Sequence, residues 1–357
     1  MDRNVLVKLI YLILSTMIGT GILALPYIFY SVGVILSIIL YLISTFLIYI
    51  VSIILLKASL KCYKTNLIDV FERYLGKNIK NFSFILVFLS ILFVCIAYLN
   101  VINFSISYFT DNSEIYTLFI VAIAMSVSFI GFNLIEKAER ILFSIKILIL
   151  FLFLSFIIFI PKKYKLENFV IDINKIFNFL LVSIFAFSFY TIIPSLLLVT
   201  KDEKILKSSI IYSLIIAFVL YFLFSYIVSL RSGESEISIL GYNELFNFLT
   251  IFLVITPYLI LSWILSENIS ENLKIEKRVS LLISYGLPYI LFIFLPKSFL
   301  MYIEITSAFF ILTIYFLIGL IGYKFSEKLK VNKLYSIFLI IFSLILILFK
   351  GLDLLII

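Results

Sequence analysis

The chain has 357 residues, 64% apolar and only 13% charged, with a mean hydropathy of +1.24 and a net charge of +8. A composition this apolar over such a length excludes a water-soluble globular domain and implies a polytopic membrane protein. Histidine is absent, which removes His-ligated haem and the usual His-based acid–base machinery, and no Ser, Cys or carboxylate constellation at membrane depth replaces it, so an intramembrane enzyme is disfavoured.

The first apolar stretch, residues 5–30, can cross a bilayer, because roughly 20 apolar residues span about 30 Å of hydrocarbon. It is too long for the apolar core of a signal peptide and lacks a small-x-small cleavage pattern, so it reads as a retained span. Its middle is broken by Ile18-Gly19-Thr20-Gly21, with Pro26 five residues on. Two glycines and a proline weaken a helix where hydrocarbon most penalises unpaired backbone. Such a break survives only where it is packed in protein or lines a cavity, and its N–H and C=O groups then become ligands for a small polar solute.

Further apolar runs at 33–56, 81–109, 115–132, 138–160, 177–199, 209–230, 244–265, 279–295, 298–323 and 334–350 bring the predicted spans to eleven. With the N-terminus cytoplasmic, 20 of the 28 Lys and Arg residues fall on the cytoplasmic side and 7 on the other, while Lys146 lies inside span five. The positive-inside rule therefore predicts an inside N-terminus and an outside C-terminus. The basic balance is a topology signal rather than a nucleic-acid footprint; the partner it implies is the lipid bilayer. In the longest cytoplasmic loop, 57–80, Leu67, Ile68, Phe71 and Leu75 share one helical face and predict a short interfacial helix, and the loop 231–244 has room for a similar element. Cys62 lies in a loop and Cys95 in a span, at depths that argue against a disulfide.

Span six, five spans beyond the first, runs from Phe185 to Leu196 with Ser188, Tyr190 and Thr191 just ahead of Pro194. Setting Pro26 against Pro194 aligns Gly19-Thr20-Gly21 with Phe187-Ser188-Phe189. An offset of five spans inserts the two halves oppositely, and matching interruptions in inverted halves point to a substrate site near the midplane. Either proline alone is also consistent with a simple kink.

The segments GTGILALP (Gly19 to Pro26), with Gly33 opening span two, and FAFSFYTIIPSL (Phe185 to Leu196) resemble the amino acid–polyamine–organocation superfamily, within it the amino acid/auxin permease and aromatic amino acid permease branch. Weaker similarity lies in Gly286-Leu287-Pro288 and in Leu295-Pro296 ahead of Phe299, and the resemblance covers essentially the whole chain. It implies an all-α fold of eleven transmembrane helices, built as a five-plus-five inverted repeat with discontinuous helices 1 and 6. Repeat one covers about 5–160, repeat two about 177–323, and helix 11, about 334–350, is peripheral, all within one transporter domain over 1–357. The resemblance further implies a plasma-membrane permease for amino acids, driven by protons or sodium, with no cofactor beyond the coupling ion.

Physics and resemblance converge on one site. The half-helix starting near Gly21 offers first-turn N–H groups and a positive dipole end to a carboxylate. Carbonyls around Ile18 and Gly19, and from Phe185 to Ser188, are acceptors for an ammonium. The expected substrate-binding residues are Ile18, Gly19, Thr20, Gly21 and Ile22 of span one, Tyr98 and Asn100 of span three, and Phe185, Phe187, Ser188, Phe189 and Tyr190 of span six. An apolar or aromatic amino acid is the expected cargo, although in a chain that is 18% aromatic each such ring also suits packing or lipid contact.

Lys146 lies ten residues beyond Glu136, about 15 Å along the helix and near half depth. A charge there costs on the order of 2.5–3.5 kcal/mol on insertion scales, so such residues usually face a cavity and carry function. Some proton-coupled relatives carry a span-five lysine whose ammonium replaces a sodium ion at the carbonyls of broken helix one. The resemblance implies that role for Lys146, with proton release and rebinding during transport. The alternative is that Lys146 snorkels along Arg140 toward the interface. Glu304 in span ten is an expected outer gate, proton carrier or cavity lining. Thr256, beside Pro257 in span eight, offers a hydroxyl to sodium or satisfies its own backbone. The leading expectation is a proton-coupled amino acid symporter working by alternating access; a sodium-coupled symporter and a non-transporting amino acid sensor of the same fold stay open.

Overall fold

The computed structural model describes residues 3–19, 21–130, 132–159, 161–232 and 244–356. Among these residues every regular element is a helix, as hydrocarbon demands of a backbone that cannot be hydrated. Among the described residues nine helices are long and apolar enough to cross a bilayer, a bent pair makes a tenth, and the shorter apolar helix Phe143–Phe159 lies in predicted span five, which completes the eleven. Span one is split into Arg3–Met17 and Gly21–Val32, whose axes differ by 65°. Span six runs as Ile173–Phe187 and then resolves into two 3₁₀ turns, Tyr190–Ile192 and Pro194–Leu198. The interruptions thus fall where the Gly-Thr-Gly and Ser-Phe-Tyr segments place them.

Several helices overrun their apolar limits. Spans two (Val34–Cys62), three (Lys77–Ser107), seven (Glu203–Ser232), eight (Glu244–Leu273) and eleven (Lys333–Ile356) continue into charged sequence. A helix satisfies its own backbone in water as well as in lipid, so the last apolar residue marks the membrane boundary and not the helix end. Span five (Phe132–Phe159) likewise begins six residues early, before Glu136 and Lys137, whereas spans four (Ser113–Ile130) and nine (Lys277–Phe294) stay within a few residues of the apolar runs. Span ten carries an interruption that the apolar pattern does not announce. Phe299–Ile305 passes into a π-helical turn, Thr306–Ile311, before Leu312–Lys324, with the Leu312 N–H donating five residues back to the Ser307 carbonyl.

The second half of span one packs against spans six and seven, and span three packs against spans eight, nine and ten. The predicted interfacial helix forms as Leu67–Leu75, capped by the Asn66 side chain accepting from the Ile68 N–H. It buries Leu67, Ile68, Val70 and Phe71 and leans on span three. The loop 231–244 lies largely outside the described residues.

The turn between spans one and two is braced by the strand-like segment that precedes span six. The N–H groups of Val34 and Ile35 donate to the carbonyls of Glu167 and Asn168, both at 3.0 Å, and Val170 N–H donates to Val32 at 3.0 Å. Gly33 sits between them at φ +87, and a Cβ there would lie 2.7 Å from the Glu167 oxygen. Only glycine combines that backbone angle with so close a strap.

Span eleven rests on span ten through Gly319 and Gly322, which face Ile340 and Ser336. Its Lys350 donates to Glu304 of span ten at 2.8 Å and to Asp353 at 3.0 Å. Its other face, with Leu334, Ile341 and Leu348, is exposed. Cys62 and Cys95 are both free thiols.

Candidate functional site

Breaking a helix releases carbonyls that must find donors, and the two breaks meet that demand differently. In span one the Met17 carbonyl accepts from the Gly19 N–H at 2.9 Å and from the Tyr221 hydroxyl at 2.6 Å. The next carbonyl, Ile18, accepts from the Lys146 ammonium at 2.6 Å. In span six the Ser188 hydroxyl donates to the Ile184 carbonyl at 2.5 Å, the Ser188 N–H donates to Phe185 at 3.1 Å, and Tyr221 reaches the Ala186 carbonyl at 3.1 Å.

Lys146 is 1% exposed. Its head group reaches the Ile18 carbonyl at the break of span one, so it does not take the route toward Arg140 and the interface. Three of the carbonyls expected for a substrate ammonium, those of Ile18, Phe185 and Ala186, are therefore already engaged by protein donors. An oxygen with two lone pairs can accept once more, so the Ile18 carbonyl can serve both Lys146 and a ligand.

Between the breaks lies a cavity of about 70 Å3. Span one contributes Thr16, Met17, Gly19 and Gly21, and span six contributes Phe185, Ala186, Ser188, Tyr190 and Thr191. Span three adds the stripe Ser90, Ile91, Val94 and Tyr98, and spans eight and ten close the cavity with Leu261 and Ile311. A Cβ on Gly21 would lie 2.7 Å from Ala186 Cα, and one on Gly19 would lie 3.1 Å from the Tyr98 hydroxyl. Hydroxyl pairs tie the span-six side of the cavity to its neighbours: Ser188 with Tyr315 of span ten at 2.6 Å, and Tyr190 with Ser90 of span three at 3.2 Å.

Of the expected residues, Gly19, Gly21, Tyr98, Phe185, Ser188 and Tyr190 line the cavity, and Ile18 lies in the chain between the lining residues Met17 and Gly19 with its carbonyl on Lys146. Thr20 lies outside the described residues. Four others point elsewhere. Asn100 is two residues past Tyr98, about 200° round the helix, and its amide donates to the Ile96 carbonyl at 2.9 Å. Phe187 turns its ring to Tyr41 and Tyr221, with centroids 6.0 and 4.9 Å away. Ile22 and Phe189 are buried in packing, 0% and 2% exposed, outside the cavity lining.

Glu304 lies away from the cavity, paired with Lys350, because its turn of span ten faces span eleven. Thr256 is buried, and its hydroxyl has no hydrogen-bond partner among the described residues, its own backbone included; the neighbouring Pro257 packs on Gly19. Sequence reasoning missed Tyr221, Tyr315 and Ser90. For Ser90 a signal existed: with Val94 and Tyr98 it repeats every four residues, one face of a helix.

Comparisons with known proteins bear on the family and the fold. The sequence profile described as the tryptophan/tyrosine permease family matches residues 2–233. Among solved structures, the crystal structure of MhsT in complex with L-phenylalanine superposes with a TM-score of 0.68, covering 98% of this chain and 98% of that one at 14% identity. No curated protein sequence matches. The likeness to MhsT bears on the fold, which is the five-plus-five inverted repeat with interrupted helices one and six.

Proposed function

From the premise that the chain belongs to the tryptophan/tyrosine permease family, we propose that it is a secondary active transporter that moves an apolar or aromatic amino acid across the plasma membrane with protons, by alternating access. The observation that carries this reading is the buried Lys146 ammonium seated on the Ile18 carbonyl at 2.6 Å. A cation at membrane depth is costly and persists where it works. While protonated, Lys146 holds the first half of span one against span five. Loss of the proton removes the charge that strengthens the bond and leaves a weaker donor, so that half-helix is released. Taking up and losing one proton per cycle then couples the movement of span one to the pH difference.

At about 70 Å3 the cavity must widen to admit an amino acid, and it is its lining that suits such a cargo. The Gly21–Val32 helix begins at its edge, so its dipole favours a carboxylate there, beside the Tyr98 hydroxyl. Val94, Phe185, Leu261 and Ile311 offer an apolar wall, and the hydroxyls of Ser90, Ser188 and Thr191 offer partners to a polar ring substituent. The MhsT structure, whose title names L-phenylalanine, supports a cargo of this size by analogy of fold. The excess of Lys and Arg on the N-terminal side supports a cytoplasmic N-terminus.

The test is uptake of labelled tryptophan, tyrosine and phenylalanine into proteoliposomes under an imposed pH gradient, with a sodium gradient as the comparison. Accumulation with the pH gradient alone is expected. Accumulation only with sodium would overturn proton coupling, and a ligand-raised melting temperature without any uptake would point to a sensor instead.

A further inference from the structure

Tyr221 stands in the middle of span seven, 0% exposed, and touches both interruptions at once. Its hydroxyl is 2.6 Å from the Met17 carbonyl of span one and 3.1 Å from the Ala186 carbonyl of span six. A phenol has a single proton, so the shorter contact is the principal bond and the longer one its minor branch. The ring cannot turn away, because Phe187 packs edge-on against it with centroids 4.9 Å apart. The hydroxyl is thus a fixed post between two broken helices.

Beside it, the same two helices touch through backbone. Gly21 lies so near Ala186 that even a methyl group would come within 2.8 Å of the Ala186 Cβ. The distance between the interruptions is therefore set twice, by the Gly21–Ala186 contact and by the Tyr221 hydroxyl. Met17, Gly21 and Ala186 all line the cavity, so that distance is also the width of the gap in which a substrate is held.

We infer that Tyr221 is a positioning residue that holds the two interruptions at the spacing the substrate requires, and so sets substrate affinity without touching the substrate. The inference rests on the proposed transport function. Without the hydroxyl, the Met17 and Ala186 carbonyls lose a shared donor in a buried place, and the gap widens or admits water. The incoming amino acid must then spend binding energy to restore the spacing, which appears as weaker apparent affinity.

The experiment compares wild type, Tyr221→Phe, Gly21→Ala and the double variant, reading KM and maximal rate of aromatic amino acid uptake together with melting temperature. Tyr221→Phe is expected to raise KM about tenfold with little change in maximal rate, the size expected for one buried hydrogen bond. Gly21→Ala pushes the same helices apart and is expected to raise KM as well, with the double variant less than additive because both act on one distance. Tyr41→Phe is the control. Tyr41 is equally buried and meets the span-six break only through its ring, against Phe187, while its hydroxyl bonds Ser225 at 2.9 Å, so removing that hydroxyl should lower the melting temperature and leave KM alone.

A Tyr221→Phe protein that melts lower but keeps the wild-type KM assigns the residue to stability only and overturns the proposal. Should that variant fail to fold, Gly21→Ala carries the test with Tyr221 intact, and an unchanged KM there overturns it equally. Wild-type protein that moves no amino acid overturns the transport reading, and this inference with it. Wild-type uptake with an unaltered KM in the variants overturns the positioning role alone.

Discussion

Span one breaks at two glycines and is held by side chains from other helices, whereas span six breaks without a glycine and is held mainly by its own. At the first break, Lys146 of span five and Tyr221 of span seven supply the donors. At the second, Ser188 supplies two of them, from its hydroxyl to Ile184 and from its N–H to Phe185. The difference follows from side-chain chemistry. Glycine allows close approach but has nothing with which to cap the carbonyls it frees, while a serine at the break can bond back to the preceding turn. A self-capped break leans less on other helices, although Tyr221 and Tyr315 also reach this one. A break that borrows its donors responds to whatever changes the lender, and under the proposed mechanism that is the break at which a titratable lysine can act.

The comparison is broken most severely by Lys146→Ala. Removing the lender should abolish acceleration of uptake by a pH gradient, read in proteoliposomes under imposed gradients. Proton coupling that survives intact would remove Lys146 from the mechanism. Gly21→Leu comes next: the side chain would run into the Ala186 backbone, whose Cα is 2.7 Å from the first added carbon. Overpacking of this kind costs about 1–3 kcal/mol, and amino acids should no longer raise the melting temperature of the variant. A normal ligand-induced shift would place the substrate elsewhere.

Ser188→Ala sharpens the contrast from the self-capped side. It removes bonds to Ile184 and to Tyr315, with an expected loss of about 1 kcal/mol and a KM raised by less than about tenfold. Its pH dependence should match wild type, because the bonds it loses do not involve Lys146; a shifted pH profile would show that the second break is coupled to protons as well. Glu304→Gln lies far from both breaks and gives the baseline. It weakens the pairing with Lys350, which keeps Asp353, and should cost about 1 kcal/mol in thermal denaturation. A changed pH profile of uptake in this variant would restore Glu304 as a proton carrier.

How legible the site was depended on whether a feature was local in the chain. The Gly19-Thr20-Gly21 segment announces its break because backbone freedom is a property of the residues themselves. The Phe185–Pro194 segment was readable only by its match to the first. Which residues face the cavity was legible in part: Tyr98 and Tyr190 line it, while Asn100 and Phe187 are turned out of it. The π-turn at Thr306–Ile311 contains no glycine or proline, so nothing in its sequence marks it.

The amino-acid sequence by itself determined the class of the molecule, its eleven spans, the places where two of them break and the presence of one lysine at depth, because hydropathy, glycine and charge act within a single helix. Only the tertiary structure decided that Lys146 meets the Ile18 carbonyl, that Tyr221 bridges the two breaks and that Glu304 pairs with Lys350 of span eleven. Those pairings depend on how each helix is rotated about its axis. In a bilayer, lipid and neighbouring protein are equally apolar, so hydropathy leaves that rotation open and close packing of small and polar residues settles it.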